Sequence, residues 1–227
     1  MPFVIPAPPP VTLEVAGETG RFPVRRIYCV GRNYVEHVRE MGNDEREPPF
    51  FFQKPADAIL PSGSDFPYPP KTSDVHHEIE LVVAIGEGGH DIAVGKALGH
   101  VYGYAVGIDF TRRDLQGKAK EMRRPWEAGK AFDHAAPCTA VRPAGTIGHP
   151  GKGRIWLSVN GKVKQDGDLA QQIWNVSETI ADLSSYFTLA PGDLIFTGTP
   201  AGVGPVVRGD KLSGGIAGIG EIEIQVI

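Results

Sequence analysis

The run His77-Glu78-Ile79-Glu80-Leu81-Val82-Val83-Ala84-Ile85 carries two carboxylates, two residues apart, into what reads as a buried strand. Residues i and i+2 of a strand share a face, so Glu78 and Glu80 point the same way. Two unpaired anions side by side at the mouth of an apolar run would be costly to bury. A positive charge between them is therefore expected. A second strand-like run, Val101 to Asp109, ends in a third acid, and its face otherwise carries Val101, Gly103, Ala105 and Gly107. Small residues there are expected to leave space for a ligand. Three hard oxygen donors with no accompanying cysteine cluster suit magnesium, manganese or calcium better than zinc or copper. A plainer reading stays open: Glu78 and Glu80 on an exposed edge strand, with Asp109 capping the segment that follows.

A chain of 227 residues is long enough for one large domain. The expected division is an extended Pro-rich arm over 1–24 and a single domain over 25–227. The net charge of −4, with acids and bases interspersed, leaves no electrostatic footprint for nucleic acid or an anionic membrane. Cys29 and Cys138 make neither a disulfide framework nor zinc-ligand spacing, which fits a reducing cytoplasm. The opening residues lack the positive region of a secretory signal, and no segment reaches the ~18 consecutive apolar residues of a membrane helix. The sequon Asn175-Val176-Ser177 then carries no meaning.

Abundant glycine and proline, with short β-rich runs between turn signals, predict an α+β fold that is mostly β with a few short helices. Within Arg154 to Lys164, Asn160-Gly161 supplies the positive φ angles of a type I′ hairpin turn. A packing helix is predicted from Val176 to Phe187, where Asn175 and Glu178 form a capping-box pair and Val176, Ile180, Leu183 and Phe187 an apolar stripe. The segment Pro191 to Gly204 reads as a turn, a short buried strand and a glycine-rich loop. That loop lacks the Lys-Ser/Thr of a phosphate-binding loop, and no amphipathic helix follows it.

Other candidates for chemistry lie along the chain. His37 and Glu40 are three apart on a predicted helix, so a carboxylate can raise the basicity of the imidazole and fix its tautomer. Surface His/Glu pairs at this spacing are also common. After Asp109, a basic segment offers two readings. Lys118, Lys120 and Arg123 fit a solvated helix face, whereas Arg113, Gln116 and Lys130 could bind carboxylate or enolate oxygens opposite a metal, Lys130 being raised on its own strand or turn. Lys54, after three phenylalanines, either binds an anion or snorkels.

Together these residues resemble the fumarylacetoacetate hydrolase family. The likeness rests on the order and spacing of several segments: Gly31-Arg32-Asn33-Tyr34 with His37 and Glu40, Phe52-Gln53-Lys54-Pro55, His77-Glu78-Ile79-Glu80-Leu81, Gly107-Ile108-Asp109, Arg113-Asp114-Leu115-Gln116, Pro125-Trp126 with Lys130, and Thr197-Gly198-Thr199-Pro200 with Gly202. The resemblance implies a mixed β-roll, usually assembled as a homodimer, with Mg2+ or Mn2+ held by Glu78, Glu80 and Asp109. It implies a water-activating dyad of His37 and Glu40 on a mobile lid, and a catalytic Lys130 that reinforces an enolate. Substrate contacts are expected from Arg32, Lys54, Arg113, Gln116 and Thr199. The implied activity is hydrolysis of the carbon–carbon bond of a 2,4-dioxo acid. The N-terminal block from Pro8 to Tyr28 is most similar to bacterial members that split fumarylpyruvate in gentisate breakdown. Oxaloacetate decarboxylation, or isomerisation or decarboxylation of a homoprotocatechuate-pathway oxo acid, would use the same site. Arg32, Arg112 and Arg124 are the candidates for pairing with a second substrate carboxylate.

Overall fold

The computed structural model describes residues 3–34 and 47–227. His37 and Glu40 lie outside the described residues. Four sheets make up the β framework among these residues. The largest is mixed and runs Phe50–Lys54, Ile27–Gly31, Leu194–Phe196, Ile79–Ile85, Val101–Ile108, Ala136–Cys138, Ile59–Pro61, with Arg142–Pro143 pairing to Val101–Ile108. Leu194–Phe196 is parallel to Ile27–Gly31 and antiparallel to Ile79–Ile85.

Every residue of Ile79–Ile85 is buried, as its unbroken apolar run requires when neighbours cover both edges and both faces. The edge-strand reading of Glu78 and Glu80 is thereby set aside. A second sheet, in the order Lys162–Asp168, Arg154–Val159, Lys211–Ile216, Gly220–Val226, Asp65–Phe66, closes over the first. The two approach closely at Gly214, where an added Cβ would meet Ile79 Cδ1 at 2.5 Å. The result is the expected β-roll with few helices.

Local signals hold where they were strongest. The hairpin turns at Asn160 (φ 51°) and Gly161 (φ 76°), both left-handed as a type I′ turn demands. The helix is Val176–Tyr186, and Asn175 and Glu178 make both bonds of the capping box. The N-terminal arm is shorter than expected. Thr12–Glu14 and Arg21–Pro23 form a hairpin that buries Leu13, Val15, Phe22 and Val24, leaving 3–10 as the exposed extended part. No helix among the described residues is long and apolar enough to cross a membrane.

Candidate metal centre

The pairing of two strands assembles the acidic trio. Ile79–Ile85 lies antiparallel to Val101–Ile108, with Ile79 opposite Ile108 and Glu80 opposite Gly107. The ladder continues one step, the Asp109 amide donating to the Glu78 carbonyl at 2.8 Å. Partners facing each other across such a ladder project to one side of the sheet. Glu78, Glu80 and Asp109 therefore converge, each offering a carboxylate oxygen within 4.8 Å of the others, and all three are buried.

Among the described residues, cations answer two of these acids but not the third. Lys130 Nζ donates to Glu78 Oε2 at 2.9 Å and to Asp109 Oδ2 at 2.6 Å. Arg113 Nη2 pairs with Glu78 Oε1, while its Nη1 donates to Gln116 Oε1 at 2.6 Å. Lys54 Nζ lies 2.8 Å from Asp109 Oδ1. Glu80 accepts the Gly198 amide at 2.7 Å and has no Lys, Arg or His nitrogen within 4 Å among the described residues.

Burial, then Asp109, then Glu78 push the Glu80 carboxyl well above the usual range. Burial acts upward on Glu78 too, but Lys130 and Arg113 outweigh it and hold that carboxyl well below its usual range. Burial would lower Lys130, and Asp109 and Glu78 more than reverse this. The site is thus short of positive charge on the Glu80 side. A divalent cation fits that shortage, and an all-carboxylate donor set matches magnesium or manganese.

The cleft above the trio is lined by Arg32, Phe50, Phe52, Arg113, Gln116, Trp126, Lys130 and Thr199. The structure differs from expectation at Lys54 and at the small residues of the second strand. Lys54, expected to bind substrate, is fully buried behind Asp109: its ammonium donates to the carbonyls of Phe110 (3.1 Å) and Lys130, so it fixes the acid and the backbone beside it. Of the strand or turn expected to raise Lys130, the structure shows the turn, the end of a one-turn helix, Glu127–Lys130. The small residues of the second strand admit protein and no ligand. A Cβ at Gly107 would strike Phe196 and Val82 at 2.5 and 2.6 Å, and one at Gly103 would strike the Arg142 carbonyl at 2.3 Å.

Two organising residues carry no local sequence signal. Gln165 is fully buried. Its Oε1 accepts the Ile79 amide at 3.0 Å and lies 3.0 Å from His77 Nδ1, while its Nε2 donates to Thr199 Oγ1 (2.8 Å) and the Pro200 carbonyl (2.9 Å). With Oε1 an acceptor, His77 must carry its proton on Nδ1. Burial lowers the His77 pKa to about 4, so the ring is neutral at pH 7. Thr199 Oγ1 in turn donates to the Ile79 carbonyl at 2.7 Å. Asn33, just beyond the strand Ile27–Gly31, likewise ties that strand's end to the glycine-rich loop, donating to the Trp174 and Thr197 carbonyls and accepting the Trp174 amide. An Asn just after a strand or a Gln on a hairpin is too common a pattern to flag either role.

Comparison with known proteins agrees with this geometry. The domain described as "Fumarylacetoacetate (FAA) hydrolase C-terminal" matches residues 26–227. A fumarylpyruvate hydrolase of Ralstonia sp is 47% identical over 181 residues, covering 79% of this chain and 93% of that protein. A mitochondrial oxaloacetate decarboxylase of Dictyostelium discoideum is 42% identical over 203 residues, 89% of this chain and 91% of that one. The crystal structure of fumarylpyruvate hydrolase from Pseudomonas aeruginosa, in complex with Mn2+ and pyruvate, superposes with a TM-score of 0.97 at 54% identity, covering 100% of this chain and 99% of that chain. With a buried carboxylate trio at the crossing of two central strands and a family domain spanning nearly its whole length, the chain belongs to the fumarylacetoacetate hydrolase family.

Proposed function

We propose that the protein is a metal-dependent hydrolase that splits the carbon–carbon bond of a 2,4-dioxo acid, with fumarylpyruvate giving fumarate and pyruvate. The observation that carries this reading is the uncompensated Glu80 within a buried trio whose cleft is lined with cations. Such a site suits a ligand that brings its own negative charge to a divalent ion. The likeness to fumarylpyruvate hydrolases, one of them holding Mn2+ and pyruvate, supports the same substrate class.

Glu78, Glu80 and Asp109 would hold Mg2+ or Mn2+, which when bound supplies Lewis-acid polarisation of a chelating 2-oxo acid. Lys130, Gln116 and Arg113 present donors toward the same space and stabilise negative charge as it builds on the pyruvoyl oxygens. Thr199, held by Ile79 and Gln165, orients the same end. His37, backed by Glu40, takes the proton from water. The water oxygen bonds to the 4-oxo carbon, the C3–C4 bond breaks with its electron pair staying on C3, and C3 takes up a proton to become the methyl group of pyruvate. The protein works as a homodimer in the cytoplasm, in the breakdown of aromatic compounds; two buried free cysteines fit a reducing compartment.

The 42% identical decarboxylase favours a second reading, in which the same pyruvoyl site decarboxylates oxaloacetate without an attacking water. One assay decides. Fumarylpyruvate, maleylpyruvate, acetylpyruvate and oxaloacetate are each incubated with Mg2+ or Mn2+, with and without chelator, using wild type and His37→Ala. Chelator-sensitive release of pyruvate from fumarylpyruvate, lost in His37→Ala, is the expected result. No cleavage of any 2,4-dioxo acid by metal-loaded wild type overturns the reading.

A further inference from the structure

Two cations of the cleft have no acidic partner among the described residues. Arg32 and Lys120 both line it, yet neither forms an ion pair with an acid among the described residues. The other basic groups there, Lys130 and Arg113, are engaged with the trio. Arg32 is held in the left-handed region at φ 58°, a conformation that costs a non-glycine residue and that clusters at functional sites. Its Nε is buried without a hydrogen-bond partner, and its Cζ lies 5.7 Å from the centroid of the Phe50 ring. Lys120, in the last turn of the helix Arg113–Glu121, stands at the exposed rim; burial, then Arg32 and Arg113, draw its pKa down. Arg32 and Lys120 thus add positive charge beside Arg113 with no acid among the described residues paired to either of them.

The cleft changes character from floor to rim. At the floor lies the buried acidic trio with Lys130. Along the wall, Trp126 packs edge-on to Phe50 at 5.4 Å and tilted against Phe52 at 5.7 Å, an apolar aromatic surface. At the rim stand Arg32 and Lys120. A ligand complementary to this sequence of surfaces has a 2-oxo acid at one end, an apolar or conjugated linker, and a second carboxylate at the other. The other two arginine candidates are placed elsewhere: the Arg112 guanidinium stacks on Phe132 at 4.4 Å and donates to the Ala128 carbonyl, and Arg124 is exposed and does not line the cleft.

We propose that Arg32 and Lys120 bind the distal carboxylate of the acyl group, making the site selective for dianionic over monoanionic 2,4-dioxo acids. This rests on the hydrolase reading above and specifies its substrate class. The test compares wild type, Arg32→Met, Lys120→Met and the double variant on fumarylpyruvate and on acetylpyruvate, which lacks the second carboxylate. Each single variant is expected to lower the ratio of the two kcat/KM values by about tenfold, the scale of a charge-assisted hydrogen bond, chiefly through KM for fumarylpyruvate. Arg32→Lys and Lys120→Arg should recover part of the ratio. Equal loss on both substrates, or a ratio that does not change, overturns the proposal.

Failure of the hydrolase reading gives a different result, namely wild type that cleaves neither substrate. Calorimetric titration of the Mn2+-loaded protein with fumarate and with crotonate then decides the inference by itself. Tighter binding of fumarate, abolished in both Met variants, supports it, and equal binding of the two overturns it.

Discussion

The ammonium of Lys130 lies 2.6 Å from Asp109 Oδ2, and the same nitrogen reaches Glu78 Oε2 at 2.9 Å, so one fixed cation bridges two of the three putting-in points for a metal. That nitrogen and a divalent ion repel each other while sharing the same two acids. A lysine in this position neutralises the trio, orients it, and stands ready to stabilise charge on a bound oxo acid.

Lys130→Met separates those roles. Removing the competing charge should leave Mn2+ affinity equal to or tighter than that of wild type, while turnover falls by about 100-fold or more because a donor to the developing charge is gone. Calorimetric Mn2+ titration alongside steady-state kinetics measures both. Markedly weaker Mn2+ binding in the variant would show that Lys130 builds the metal site instead of sharing it.

Glu80 and Glu78 should respond with opposite signs to loss of charge. Burial and two neighbouring acids disfavour ionised Glu80, so Glu80→Gln removes an unfavourable charge and keeps an oxygen for the Gly198 amide. The metal-free variant should melt no lower than wild type. Glu78→Gln instead strips a partner from Lys130 and Arg113 and should cost about 3 kcal/mol, the scale of an uncompensated buried charge. Thermal melts with and without Mn2+ provide the check. Wild type should gain about 4 kcal/mol at a thousandfold excess of Mn2+ over Kd, and both variants should lose most of that gain.

The acidic trio was legible because carboxylates inside an apolar strand are hard to explain without a cation, and that argument needs only local spacing. The hairpin at Asn160-Gly161 and the cap at Asn175 were legible for the same reason: φ preference and a four-residue hydrogen-bond pattern are properties of short segments. What escaped was long-range. Lys54 is held by acceptors on Asp109, Phe110 and Lys130, far along the chain, and nothing near Lys54 announces them. Lys120 sits on a helix whose other lysine, Lys118, is solvated as expected, and only the packing of that helix against Glu127–Lys130 and the strand Val75–His77 brings Lys120 into the cleft. The small residues of Val101–Ile108 suggested a void because sequence cannot say that Phe196 fills it.

Gly198 is placed where no other residue fits well. It has φ 94°, and an added Cβ would lie 2.7 Å from Asn33 Cβ. Gly198→Ala should therefore cost about 2 kcal/mol in urea unfolding, combining left-handed strain with a side-chain clash. The same shift moves the amide that orients Glu80, so Mn2+ affinity should fall by about tenfold. Unchanged affinity in a destabilised variant would mean that the amide is not needed to hold Glu80 in place.

Gln165 offers the most stringent test of how the site is supported from beneath. Its amide joins three segments: His77 and Ile79 on either side of Glu78, Thr199 and Pro200 on the glycine-rich loop, and its own hairpin. The register shift between Leu157 and Ser158 lies directly across that hairpin, where Leu157 faces Gln165. Gln165→Met conserves volume but leaves the Ile79 amide, the Pro200 carbonyl and the His77 Nδ1 proton buried without partners. Each such group costs about 1–3 kcal/mol, so the variant should lose at least about 3 kcal/mol in urea unfolding. Gln165→Glu keeps the acceptor for Ile79 and His77 but loses both donors and buries a charge, so it should be no more stable than Gln165→Met. If the site is supported as described, the residual folded fraction of either variant shows a raised KM for the oxo acid through misplacement of Thr199. A destabilised variant whose KM equals that of wild type would confine Gln165 to stability alone.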